Sequence, residues 1–92
     1  MHKFLVHSRG DHVGVATSDI ESGECVVGVF LDDSSTVEVE AHAAVPLGHK
    51  LAIRACDAGS TVLEYGIPIG VAPDGLGEGD YVHTHNLKSA RW

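Results

Sequence analysis

The sequence predicts an all-β domain of short strands and tight turns, on three observations. Val37-Glu38-Val39-Glu40 alternates apolar and acidic residues strictly, the period of a half-buried strand. Short β-branched or apolar runs recur along the chain, and no segment carries a helical stripe. Four times a glycine precedes such a run: Gly23 before Cys25-Val26, Gly48 before Lys50-Leu51, Gly59 before Thr61-Val62, and Gly79 before Tyr81-Val82. Each reads as a tight turn feeding a strand, with glycine supplying positive φ.

Taken in order, an alternating strand in the first residues ends at His7, and Ser8-Arg9-Gly10-Asp11 turns the chain. His12 opens the next strand, residues 13–17, so a hairpin-like arrangement brings His7 and His12 near each other. Glu21-Ser22-Gly23-Glu24 leads into residues 25–31, and Asp32-Asp33-Ser34-Ser35 leads into residues 37–40. One short helical turn is expected near Glu40–Ala44. Strands over residues 50–53, 61–65 and 67–71 follow, with Tyr65-Gly66-Ile67-Pro68 as a structural bend between the last two. After Asp74-Gly75 comes a last strand that ends at His83 and His85, followed by a short basic tail that Trp92 closes.

The 92 residues suit one domain, 1–92, with a modest core. No apolar run approaches a membrane span, and the first residues are too short for a signal peptide. Cys25 and Cys56 lie in apolar stretches and match no zinc spacing; they are expected to be buried thiols in a reducing cytoplasm. The net charge of −7 argues against nucleic acid. Its distribution is uneven. Residues 1–10 and 81–92 hold no acid but carry Lys3, Arg9, Lys88, Arg91 and four of the seven histidines; residues 11–80 hold all thirteen acids. Were the terminal strands to pair, they would form a cationic, histidine-rich patch suited to a small anion or an acidic partner.

Three groups could carry chemistry. His83 and His85 stand at i and i+2, on one face of a strand and close enough to share a metal ion; alternatively they are a solvated or hydrogen-bonded pair. His7, Asp11 and His12 read either as a cluster that holds a carboxylate substrate or as a turn capped by Asp11 with surface imidazoles. His49 and Lys50 form a cationic pair behind the Gly48 turn, but neighbours on a strand face opposite ways, so only one can enter a given pocket. His2 and His42 read as surface positions. No nucleophile with its base, phosphate loop or dinucleotide fingerprint is present. The chain does not look like a whole enzyme.

The ordered motifs "FLVHSRGDHVGVA", "VPLGHKLAI", "YGIPIGVA" and "GDYVHTHNLKSARW" together resemble the small domain of the altronate/galactarate dehydratase family, across nearly the whole chain. The resemblance implies a SAF-like, β-clip fold of short bent strands. It implies a lyase that removes the proton α to a carboxylate and expels a β substituent, either water from a sugar acid or sulfite from sulfolactate. In some members the small and large parts are separate polypeptides, so a large catalytic subunit is the expected partner, with possible self-association. The substrate would be a small anionic hydroxy acid. A divalent metal, Fe(II) or Mn(II) with Zn(II) as a further candidate, would be held at His83 and His85. His49 or Lys50 would act in catalysis, and His7, Asp11 and His12 would bind substrate. Many relatives carry Asn where this chain has His12. A non-catalytic module that stabilises a larger partner is the alternative.

Overall fold

The computed structural model describes residues 2–65, 67–83 and 87. It contains eight strands: β1 (Phe4–Val6), β2 (Val13–Ala16), β3 (Cys25–Phe30), β4 (Thr36–Glu40), β5 (Lys50–Ala52), β6 (Ser60–Glu64), β7 (Ile67–Ala72) and β8 (Tyr81–Val82). There is no helix among the described residues, so the protein is all-β as the alternation predicts, and no helix is long and apolar enough to cross a membrane. The helical turn expected near Glu40–Ala44 is absent. The N–H groups there bond distant backbone instead: Ala41 donates to the Glu24 carbonyl and His42 to the Gly79 carbonyl.

Six strands form one sheet in the order β4-β3-β1-β2-β5-β8, and β6 and β7 form a separate hairpin. β1 sits inside the sheet, antiparallel to β2 and parallel to β3. The first and last strands do not pair, so the condition for one cationic patch built from both termini is not met. β8 pairs with β5, through Lys50 opposite Val82, and β2 and β5 separate it from β1. The long-range ladder decides this, and terminal composition carries no information about it.

Residues opposite one another in a ladder share a face. On one face Phe4, Val6, Ala16, Val26, Phe30 and Leu51 build the larger core. The Phe4 ring lies across Gly28, its register partner, where a Cβ would overlap the ring. Burying such a side chain stabilises the fold by roughly 1.5–3 kcal/mol. On the other face Val13, Ala52 and Val82 pack against Val62 and Ala72 of the hairpin and Leu76 beyond it. The hairpin covers only part of that face. Over β1, β2 and β3, Leu5, Val15, Val27 and Val29 remain half-buried.

The four glycines read as turn residues all have positive φ: 85° at Gly23, 85° at Gly48, 81° at Gly59 and 94° at Gly79. Gly79 is doubly constrained, since a Cβ there would also overlap the Glu40 carbonyl oxygen. Both cysteines are free, but only Cys56 is partly buried. Cys25 is exposed, against expectation, because it opens β3 on the face that the hairpin leaves uncovered.

Candidate functional site

Two groups of side chains stand on opposite faces of the sheet. The first gathers at the end of β6. Asp11 is fully buried, and its carboxylate oxygen Oδ2 accepts the Tyr65 N–H at 2.8 Å and the Ser8 N–H at 3.3 Å. It therefore fastens the turn between β1 and β2 to the hairpin. His12 does so as well: its own N–H donates to the Leu63 carbonyl at 2.9 Å, and its ring Nδ1 accepts the Leu63 N–H at 3.0 Å. A nitrogen that accepts a main-chain N–H carries no proton, so the neutral ring holds its hydrogen on Nε2. Burial, and then the charge of Arg54, lower the His12 pKa below the ordinary value, against the opposing pull of Asp11.

Held this way, Tyr65 adopts φ 59° without being glycine, and its ring lies 4.5 Å from that of His7. Both rings border a cleft of about 180 Å³ between the hairpin and the uncovered sheet face. Leu5, Val13 and Val15 wall the cleft and Leu31 stands at its edge. Glu64 also lines it. The Glu64 side chain is 9% exposed, and its Oε1 lies 3.6 Å from Lys50 Nζ. So Lys50 faces this side, opposite Val15 in the ladder.

The second group lies at the β5–β8 edge, on the other face. The Tyr81 hydroxyl is 2.6 Å from His49 Nδ1. His83 stacks on His49 with centroids 5.6 Å apart and planes 19° from parallel, and its centroid is 5.5 Å from that of Tyr81. His49 and Lys50 thus part to opposite faces, as strand alternation requires. His42 is exposed, 3.2 Å from Asp80.

The structure therefore joins His7, Asp11, His12 and Lys50 around residues 63–65, and joins His49 to His83. His85 lies outside the described residues, as do Asn86 and the tail from Lys88 to Trp92. Among the described residues, no three His, Cys, Asp or Glu side chains gather to hold a metal ion. Two stacked imidazoles, one of them engaged by a phenol, do not make a closed site. Sequence reasoning missed Glu64, Tyr65 and Tyr81. Glu64 had a signal, being an acid at an inward position of the β6 alternation two residues after buried Val62. Tyr81 had one too, two residues before His83 on the same strand face.

The family model for the altronate/galactarate dehydratase SAF domain matches residues 2–90. The chain belongs to this family. It is 39% identical over 90 residues to (2R)-sulfolactate sulfo-lyase subunit alpha of Chromohalobacter salexigens, covering 97% of this chain and 96% of that protein. The protein of the same name from Paracoccus pantotrophus is 43% identical over 64 residues, which is 70% of this chain and 96% of that one. Altronate dehydratase of Escherichia coli is 37% identical over 89 residues, 97% of this chain but 17% of that enzyme. The SAF-domain residues are thus a nearly complete polypeptide in two relatives and a small part of a long one in the third.

Proposed function

We propose that this chain is the small subunit of a two-chain lyase that eliminates sulfite or water from a small hydroxy acid. The observation that carries the reading is the nearly end-to-end match to a protein named as a subunit alpha. That match favours sulfolactate as the substrate over a sugar acid. The partner in this reading is a large subunit that supplies the rest of the active site. We place the enzyme in the cytoplasm, a reading that the two free thiols support.

In such an elimination a base takes the proton α to the carboxylate, negative charge builds on that carboxylate, and the β C–S or C–O bond breaks. Groups that donate to the developing charge lower the barrier. His49, His83 and Tyr81 are the side chains we propose for that work, with His85 joining His83. Tyr81 fixes the His49 ring at Nδ1 and leaves its outer edge to face substrate. Lys50 is the second proposed catalytic group, acting from the opposite face; its ion pair with Glu64 makes His49 the better candidate. Asp11 and His12 bond backbone, so their part is to set His7 against Tyr65. Fe(II) or Mn(II), the ion the family resemblance implies, finds no ligand set among the described residues. In this reading His83 with His85 would contribute ligands to such an ion and the large subunit would supply the rest.

The test is reconstitution with a candidate large subunit, sought first in the neighbouring reading frame, with release of sulfite from (2R)-sulfolactate and formation of a 2-keto-3-deoxy acid from altronate or galactarate as readouts. The chain alone is expected to be inactive, and His49→Ala, His83→Ala or His85→Ala to reduce turnover by the complex sharply. Full activity of the large subunit by itself would overturn the reading. Full activity of all three variants would favour a purely assembling role, which the internal bonds of Asp11, His12 and Lys50 also suit.

A further inference from the structure

Among the described residues, the large hydrophobic side chains left exposed are Leu31 at 55%, Leu47 at 61%, Tyr65 at 55% and Ile67 at 61%. Two of the four line the cleft, and a third is the ladder partner of a lining residue. Leu31 and Tyr65 line it, and Ile67 stands opposite Glu64 in the hairpin ladder, on the same face. The walls offer aliphatic surface from Leu5 and Val15, and one carboxylate, Glu64, lies against them. Its ion pair with Lys50 at 3.6 Å is longer than a charge-assisted hydrogen bond of roughly 2.7–2.9 Å, so the carboxylate keeps acceptor capacity toward the cleft.

This chemistry selects the occupant. A small anionic substrate would meet the Glu64 carboxylate and a mostly aliphatic lining, in which His7, Thr17 and the Tyr65 hydroxyl are the groups able to donate to it. A purely apolar side chain would strip water from Glu64 without replacing it. A cation on an aliphatic stem satisfies both surfaces: the stem lies along Leu5 and Val15, while the head bonds Glu64 and can lie over the Tyr65 ring. The charge of the chain as a whole agrees, at a net −7.

We propose that the cleft is a docking site for a lysine or arginine side chain of the large subunit, a proposal that rests on the two-chain reading above. The experiment measures the affinity of purified large subunit for this chain at low and high salt. Wild type is expected to bind, and Glu64→Gln to bind roughly tenfold more weakly with a shallower salt dependence. Lys50→Met, which removes the competing cation, is expected to bind at least as tightly as wild type. Leu31→Lys at the exposed edge repels the incoming cation and weakens the complex, whereas Leu31→Glu does not. These two leave the core intact and keep the test decisive should Glu64→Gln misfold.

Undiminished binding by Glu64→Gln and Leu31→Lys overturns the proposal. The reverse pattern, loss with Lys50→Met and gain with Glu64→Gln, would mean an anion in the cleft and overturns it too. So would a dimer of the chain alone that Glu64→Gln dissociates, which makes a second copy the occupant. So would a chain ending at Leu87 that binds about tenfold more tightly, which makes the chain's own basic tail the occupant. Absence of any complex with wild type would instead remove the two-chain reading itself.

Discussion

Replacing His12 separates its hydrogen bond from its charge. The imidazole Nδ1 accepts the Leu63 N–H at 3.0 Å, at a junction where β2 meets the end of β6. Asparagine presents an acceptor, Oδ1, at the same distance along the side chain, whereas leucine fills the space and accepts nothing. His12→Leu therefore leaves a part-buried N–H without its partner, at a cost of about 1–3 kcal/mol. For a domain of this size that lowers Tm by roughly 4–8 °C for each kcal/mol lost. His12→Asn is expected to melt close to wild type. The pH dependence supplies the sharper readout. Burial and Arg54 hold the folded pKa below the ordinary imidazole value of about 6.5, so in the window beneath that value the unfolded chain binds the extra proton first. This contribution to stability is complete above about pH 6.5 and declines as pH falls toward the folded pKa. Urea melts across this range should show wild type losing stability on acidification, with His12→Asn losing less. Equal acid dependence in the two proteins, or a His12→Asn loss as large as that of His12→Leu, would refute the reasoning.

Asp11→Ala should cost roughly 2–5 kcal/mol, since it orphans the Ser8 and Tyr65 N–H groups together, and proteolysis within the hairpin should accelerate. Gly79→Ala should lower Tm by scanning calorimetry more than Gly23→Ala does, because both residues have positive φ but only Gly79 lies against another backbone, at Glu40. Tyr81→Phe should reduce kcat of the reconstituted complex by roughly 3- to 10-fold through the lost hydroxyl contact to His49, with little change in the melting curve.

The strands and turns were legible because their causes are local. Alternation marked β4, and the four turn glycines announced their φ values without reference to the rest of the chain. Alternation by itself also separates His49 from Lys50. What the sequence concealed depends on pairing at a distance. Nothing near Tyr81-Val82 says that β8 joins β5, and so the terminal charges suggested one patch where the sheet keeps its ends apart. Asp11 and His12 looked like surface groups of a turn; residues 63–65, more than fifty positions later, make them internal. Cys25 misled for a similar reason. Its apolar neighbours imply burial, but whether a strand's first residue is covered depends on what packs over the sheet.

The position of β1 has a consequence for how the chain comes to fold. Phe4–Val6 precedes the other described strands in the chain yet lies inside the sheet, between β2 and a parallel β3, and β5 waits for β8, the last of them. A nascent chain can close the β1–β2 hairpin early, but Phe4 has no Gly28 to cover until β3 has emerged. Closure of such distant pairings is slow compared with local ones. The apolar face of the first strand must stay in water, or with a chaperone, while the rest is made. β8, the last of the described strands in chain order, closes the sheet on β5 and brings Tyr81 and His83 to His49, so closure of the sheet and assembly of that group end in the same step.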